Sequence, residues 1–443
     1  MRLPSVLGEI HRELKDAGAT RITVVGGSVR DHLLGVPVSD FDSEVFGLGH
    51  DDVLAVLGRF GKPELVGESF GVIKLRVDGE DFDFSLPRTE RKSGDGHKAF
   101  DVTVDLDMDV VTAASRRDFT MNSMAFDGEL IDPFGGRADL EAGILRHTSD
   151  AFAEDPLRVL RGMQFAGRFD LVAAEETLGV ARALKGDIIN IAAERVFVEF
   201  EKLMRSRVPS KGLRFLLDSG CVECFPELDA MVRTPQDARH HPEGSVFAHT
   251  MIVMDRMAAI LDVEGIEDRS VLMFAALLHD VGKPSTTVVA EDGSVSSKGH
   301  ARAGEVIARS FLSRMRAPKD LTDRVVKLVG EHMSSRTDLS EKAIQRLARR
   351  LAPVTIREFL MVKGADRGGE SVDVGKFLAI AESLKVADAP PEPILMGRHL
   401  LALMNPGPGM GRVLREVFEM QIDGRVQTLD ECLEEAMRII CEC

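Results

Sequence analysis

Asp40 and Asp42 are carboxylates one residue apart, and they follow a Gly26–Gly27 pair and an Arg30–Asp31 dipeptide within Val25–Glu44, VGGSVRDHLLGVPVSDFDSE. On a strand, residues i and i+2 point to one face, so both carboxylates can grip the same divalent cations. The glycines let backbone N–H groups approach a phosphate closely, and a helix starting there adds partial positive charge. Taken singly, Gly-Gly is a turn and D-x-D a pair of solvated acids. Their order here, a phosphate cradle followed at once by metal-holding acids, is the equipment of phosphoryl or nucleotidyl transfer.

Further residues extend the same chemistry. Asp81 and Asp83 in GEDFDFSLPRTERKSG are spaced for one strand face and offer a third carboxylate from a neighbouring strand. In SRRDFTMNSMAFD, Arg116 and Arg117 present fixed guanidinium charge suited to phosphates, Asp118 can accept from a ribose hydroxyl, and Asn122 can donate and accept. In AFAEDPLRVLRGMQFAGRF, Asp155, Arg158 and Arg161 recur on one helix side, and an Asp acceptor beside an Arg donor can match the Watson–Crick edge of cytosine or adenine. An isolated D-x-x-R would be a surface salt bridge. A second constellation runs through His249, His279–Asp280 and His300, with His241 and His332 nearby in sequence. Imidazole and carboxylate ligands from several helices can close on a divalent metal and leave positions open for water.

Two kinds of scaffold must position these groups. Arg21–Val25, Asp42–Phe46, Val72–Val77 and Asp81–Leu86 read as strands, flanked by helices at Ser5–Ala17, Val29–Leu34 and Asp51–Leu57. Beyond residue 147 strand signals fade and amphipathic helical patterns take over, with Pro-rich punctuation at 388–393 and 405–411. The fold expected is α+β: an N-terminal mixed-sheet head, then an extended all-α remainder. The 443 residues suggest several domains, and no apolar run approaches the roughly 20 residues of a membrane span. Five cysteines without an even framework point to a reducing compartment, so a cytoplasmic protein is expected. Cys221 and Cys224 form a C-x-x-C with no second ligand pair nearby, which favours packing over zinc or redox chemistry. A net charge of −16 excludes a general nucleic-acid coat but permits one RNA held by local patches. Arg88, Arg91, Lys92 and Lys98 form one such patch; Lys202, Arg205, Arg207, Lys211 and Arg214 form another. With no Trp or Tyr, any base stacking must use Phe, His or Arg.

GG-x-VRD followed by DFD, RRDFTMN with IDPFGG at Ile131–Gly136, and E-D-x-x-R at Glu154–Arg158 together resemble the class II tRNA nucleotidyltransferase and bacterial poly(A) polymerase superfamily. The H…HD…H series resembles the HD phosphohydrolase domain, and the whole resembles CCA-adding tRNA nucleotidyltransferases of the HD-bearing subgroup. The resemblance implies a polymerase-β-like head at 1–147, a helical neck and tRNA-binding body at 148–230, an HD domain at 231–370 and a helical tail at 371–443. It implies catalytic acids Asp40, Asp42 and, by position before RTERKSG, Asp83 rather than Asp81, holding two Mg²⁺. Gly26, Gly27, Ser28, Arg30 and Arg117 would hold the triphosphate of CTP or ATP, Asp118 and Asn122 the ribose, and Asp155, Arg158 and Arg161 the base side. Arg195 in AAERVFVEFEKL would buttress that helix. The HD ligands implied are His249, His279, Asp280 and Asp366, with His300 as a further ligand and His332 and His241 as pocket lining; the ion would be a transition metal or Mg²⁺. The activity implied is untemplated addition of CCA to tRNA, with hydrolysis of phosphate or 2′,3′-cyclic phosphate at RNA ends. Addition of the terminal A alone, or an HD hydrolase whose head only binds RNA, are the alternatives. A poly(A) polymerase fits less well, because VGESFGVIKL stands where that branch has a basic G-R-R-F-type segment.

Overall fold

The computed structural model describes residues 1–38, 40–66, 71–92, 100–334, 339–367 and 373–442. The chain divides into two compact units, Met1–Asp229 and Ala230–Cys443.

The first unit opens with α1 (Ser5–Asp16), whose Leu7, Ile10 and Leu14 recur on one face and are fully buried. The strands that follow are β1 (Arg21–Val25), β2 (Asp40–Phe46), β3 (Glu64–Val66), β4 (Val72–Val77) and β5 (Glu80–Ser85). Interleaved with them are α2 (Gly27–Leu33) and α3 (His50–Leu57). A ribbon of β6 (Arg88–Lys92) and β7 (Phe100–Val104) leads to α4 (Val110–Ser115), β8 (Ala125–Asp127) and β9 (Glu129–Ile131). Seven strands form one mixed sheet in the order β3-β4-β5-β2-β1-β8-β9, in which only β2 and β5 run parallel. Phe41, Val45, Phe82 and Phe84, on alternate positions of that parallel pair, are buried in the core beneath α1 and α3. The opposite alternation turns Asp40, Asp42, Asp81 and Asp83 to the other face. The mixed-sheet head read from the sequence is therefore present. Its three-residue strands β3, β8 and β9 are too short to show a period, and they went unpredicted.

The rest of this unit is helical: α5 (Gly136–Glu141), α6 (Leu157–Phe169), α7 (Glu175–Ala183), α8 (Ala193–Met204) and α9 (Pro209–Asp218). α6 is its centre, packed on α8 and α9. Phe119 is completely buried, with the rings of Phe152 and Phe165 edge-on at 5.3 and 5.8 Å, and this aromatic knot ties the RRDF segment to α6. Cys221 and Cys224 lie in a helical turn where their thiols donate to the carbonyls of Ala181 and Lys185, each at 3.4 Å, and burial pushes the Cys224 thiol up to about 11. Protonated thiols spent on carbonyls fit the packing role expected.

The boundary between the units falls within α10 (Pro226–Arg233), and the second unit continues with α11 (Val246–Val263), α12 (Ser270–Leu278), α13 (Lys283–Thr286), α14 (His300–Arg314) and α15 (Lys319–Glu331). Then come α16 (Glu341–Leu351), α17 (Ile356–Arg367) and α18 (Asp373–Ser383). All nine residues of α12 are buried, so it is the axis around which α11, α15 and α17 pack. Two later helices, Pro408–Ile422 and Leu429–Cys441, share a separate small core, and Thr428 with Glu431 forms a capping box at the second.

Candidate active sites

The register of β2 and β5 sets Asp42 opposite Asp83 and Asp40 opposite Asp81. Burial, with Asp83 and Asp40 beside it, pushes the Asp42 carboxyl above the usual carboxylate range against the pull of Arg117. Clustered hard oxygen donors of this kind fit a divalent cation. Asp83 is partly buried, with Lys74 at 3.2 Å, whereas Asp81 reaches outward to an exposed Arg76 at 3.6 Å. The side-by-side pair is thus Asp42 and Asp83.

Asp42 opens onto a cleft of about 530 Å³ whose wall carries seven Arg or Lys side chains against three carboxylates. Gly26 stands at its edge with φ +69°, a left-handed conformation that favours glycine, and a Cβ there would lie 3.0 Å from the Arg117 guanidinium. Arg30 donates to Asn122 Oδ1 at 2.6 Å, pairs with Asp31 at 2.7 Å and lies over the Phe169 ring at 4.4 Å. Asp118 is 7 % exposed and accepts from Asn122 Nδ2 at 3.0 Å and from Arg161 at 2.7 Å. Although burial raises its carboxyl, Arg161 and Asn122 hold it below the usual range. Asp118 is therefore a fixed anion at the cleft wall.

Asp155 and Arg158 both line the cleft but are not paired with each other. Arg195 reaches Asp155 at 3.4 Å, while Arg158 donates to the carbonyls of Ala151 and Arg116 at 2.6 and 2.7 Å. Glu154 is taken by Arg116 at 2.7 Å. The plain i,i+3 ion pair that an isolated D-x-x-R would make is absent, and a preset acceptor and donor stand in its place. Ser28 differs from the expectation: its hydroxyl donates to the Asp40 carbonyl at 2.8 Å and accepts from the Asp42 N–H, so it staples α2 to the acid strand instead of facing a phosphate. Arg91, Lys92 and Lys98 lie outside the residues whose side chains are described. Lys202 lines the cleft, and Arg205 pairs with Glu201 at 3.4 Å.

Sequence reading missed Gln164. It lines the cleft one turn beyond Arg161, is 2 % exposed, and its buried Oε1 has no hydrogen-bond partner. The available signal was a polar residue on the apolar side of α6, among Met163, Phe165 and Ala166.

In the second unit, helix ends converge. Asp366, near the end of α17, meets His249 Nε2 at 3.0 Å and His279 Nε2 at 3.8 Å, and His279 Nε2 lies 3.2 Å from Asp280 Oδ2. Glu243 accepts from His249 Nδ1 at 2.6 Å, fixing that ring; it was not anticipated. Burial lowers His279, but Asp280 and Asp366 outweigh it and hold the imidazole up to about 9, a sign that the cluster seeks positive charge. His300 joins from the start of α14 because Gly282 has no side chain: a Cβ there would fall 2.1 Å from the His300 carbonyl oxygen. His332 caps α15 and reaches the cluster too, whereas the expectation left it lining the pocket. His241 lies at the rim, 3.1 Å from Glu243, on an adjoining cleft of about 760 Å³ that Lys283, Lys298 and His300 also line. Mixed imidazole and carboxylate donors fit a divalent metal. No helix among the described residues is long and apolar enough to cross a membrane.

Residues 22–146 match a family profile described as the Poly A polymerase head domain, 173–232 one described as a probable RNA and SrmB-binding site of polymerase A, and 246–363 the HD domain. The multifunctional CCA protein of Aromatoleum aromaticum is 39% identical over 77% of this chain and 79% of its own length. That of Methylococcus capsulatus is 36% identical over 89% and 92%. Among solved structures, the CCA-adding enzyme of Bacillus stearothermophilus in complex with CTP shares the fold, with a TM-score of 0.69 over 100% of both chains at 22% identity.

Proposed function

This chain belongs to the family of multifunctional CCA proteins, and on that premise we infer that it adds the 3′-terminal CCA to tRNA from CTP and ATP without a nucleic-acid template. The observation that carries the reading is the meeting of the acid edge at Asp42 and Asp83 with one strongly basic cleft. In this reading the terminal hydroxyl of tRNA attacks the α-phosphate of the bound nucleotide and pyrophosphate leaves. Asp40, Asp42 and Asp83 would hold two Mg²⁺, which when bound supply charge neutralisation at the attacking and leaving oxygens. Backbone at Gly26 and Gly27, with Arg30 and Arg117, cradles the triphosphate, and Ser28 keeps the cradle fixed to the acid strand. Asp118 and Asn122 take the ribose hydroxyls. Asp155 and Arg158, each held by a different neighbour, read the base edge, and Arg161 acts by locking Asp118. Gln164 offers its unpartnered amide to the same nucleotide.

We assign 1–147 to the transferase head, 148–230 to the neck and tRNA-binding body, 231–370 to the HD domain and 371–443 to the tail. The body would follow the acceptor arm by shape and backbone contacts, with the tail adding no chemistry. In the HD domain, His249, His279, Asp280 and Asp366 would hold a divalent ion, a transition metal or Mg²⁺, which when bound polarises a phosphate ester; 2′,3′-cyclic phosphate and phosphate at RNA ends are the substrates. Work on tRNA supports a cytoplasmic location. The test is incorporation of labelled CTP and ATP, singly and together, on tRNA transcripts ending before CCA and after CC. Stepwise growth that stops at CCA supports the reading. Extension of the CC-ended transcript alone, or unlimited A addition, would replace it.

A further inference from the structure

A second, smaller pocket of about 220 Å³ adjoins the acid strands of the head, and its wall includes Glu44, Ser85, Arg88, Arg116, Arg117 and Arg158. Four guanidinium groups line it against one carboxylate. It lies below the roughly 300 Å³ at which a pocket begins to enclose a whole drug-sized ligand, so it suits a single anionic group. Arg158 spends donors on the carbonyls of Ala151 and Arg116, which fix the side chain without neutralising its charge. The Arg117 guanidinium stands 3.8 Å from Glu44 Oε2, too far for a hydrogen bond. Arginines held in this way are suited to a phosphate, whose oxygens match the guanidinium fork.

Strand register fixes where this pocket lies relative to the acids. Asp40, Asp42 and Glu44 share one face of β2, and Glu44 stands opposite Ser85 as Asp42 stands opposite Asp83. The pocket therefore begins one pleat, about 7 Å, beyond the acid pair. On the other neighbour of β2, Val25 pairs with Asp42 and Thr23 with Glu44, so the chain leaves β1 for Gly26 toward the Asp40 end. The glycine cradle and the pocket thus flank Asp42 and Asp83 from opposite sides. Arg117 and Arg158 line both the large cleft and the pocket, which makes the two continuous. In an in-line displacement the attacking oxygen and the leaving group lie on opposite sides of the transferred phosphorus. With the triphosphate in the glycine cradle, the pocket stands on the side of attack.

We propose that this pocket holds the phosphodiester immediately 5′ of the attacking hydroxyl, so that the acceptor is recognised as an RNA strand and not as a terminal nucleoside. The proposal rests on the reading of Asp42 and Asp83 as transferase acids. A hydroxyl at those acids and the 5′-phosphate of the same nucleotide are separated by one sugar, which brings that phosphate to the Glu44–Ser85 end of the strands. A contact to backbone carries no base information, so it serves each successive acceptor end during CCA addition. The rival occupant is the pyrophosphate product, which offers the same phosphate chemistry from the nucleotide side.

The test uses the full chain, ATP and two CC-ended tRNAs that differ only in the last internucleotide linkage, a phosphodiester in one and an uncharged methylphosphonate in the other. In the parent the neutral linkage should raise KM for RNA about tenfold or more and leave KM for ATP unchanged. Arg88→Gln should raise KM for the native RNA by a similar factor and change little further on the neutral RNA, because both changes remove one contact. Equal KM for the two RNAs in the parent overturns the proposal. Additive losses in Arg88→Gln overturn it too, since the phosphate would then be held elsewhere. Weaker inhibition of Arg88→Gln by pyrophosphate, with KM for RNA unchanged, gives the pocket to the product instead. No incorporation by the parent on the native RNA overturns the transferase reading itself. Arg116→Gln carries the same comparison if Arg88→Gln fails to fold.

Discussion

Replacing Gln164 by Met tests whether a buried, unpartnered amide in the cleft is there for the nucleotide. The side chain is 2 % exposed and its Oε1 is unbonded, a state that costs about 1–3 kcal/mol in the free protein. Met has nearly the same volume, and such swaps lose less than about 1.5 kcal/mol in packing. The free variant should therefore be more stable, by about 1 kcal/mol, which raises the unfolding temperature of a unit of this size by roughly 2–4 °C. If the nucleotide satisfies the amide in the parent, the same free energy reappears as lost affinity. CTP and ATP should then bind about 5- to 30-fold more weakly, for a loss of about 1–2 kcal/mol. Thermal unfolding with and without CTP, beside KM for each nucleotide, measures both sides. A variant that is stabilised but binds both nucleotides as the parent does would refute the reasoning, because the amide would then be unsatisfied in the complex too. A destabilised variant would refute the premise that Oε1 is unpaired.

Asp42→Asn should lower nucleotide incorporation by on the order of a thousandfold or more while leaving hydrolysis of 2′,3′-cyclic phosphate intact; loss of both would mean a common structural defect. Asp155→Ala and Arg158→Ala should each relax selection of CTP and ATP against UTP and GTP by about 10- to 100-fold, with a smaller effect on CTP incorporation itself, since a preset hydrogen bond worth about 1–3 kcal/mol is removed. His11, on α1 with Nε2 2.9 Å from Ser43 Oγ, is lowered to about 4, first by burial and then by Lys15. Its folded state stays neutral while the unfolded chain takes up a proton near pH 6.5, so head stability should fall as pH drops from about 6.5 toward 4, by up to about 3 kcal/mol. Urea unfolding across that range should show the slope, and His11→Gln should flatten it.

How much of this was legible depended on whether function lay in local order or in distant contact. Asp40 and Asp42 could be read because a strand's two-residue period is a local rule, and the register with β5 then brought Asp83 into place. Asp366 could be named only through the resemblance, for nothing local marks an Asp at the end of α17 as a partner of a histidine 117 positions away. Ser28 misled because a serine after Gly-Gly faces a phosphate or the next strand according to a side-chain rotation that no spacing encodes. His332 sits after an ordinary amphipathic helix, where a lone histidine reads as surface or core; it reaches the cluster because α15 ends beside α12.

Gly282 shows why the two halves of the HD cluster had to be found together. The chain enters it through His279 and Asp280, then must turn closely enough for its backbone to touch the start of α14, and only a residue without Cβ allows that. The same contact brings His300 to Asp280 Oδ1, while Oδ2 faces His279 at 3.2 Å and the Lys283 ammonium at 2.5 Å. A larger residue at 282 should thus separate the groups, removing His300 from the cluster while leaving His249, His279 and Asp366 in place. Gly282→Ala should accordingly behave like His300→Gln, each weakening Mn²⁺ binding to the full chain by about 10- to 100-fold. Unchanged Mn²⁺ affinity in Gly282→Ala beside a loss in His300→Gln would mean that the backbone contact is not what delivers His300.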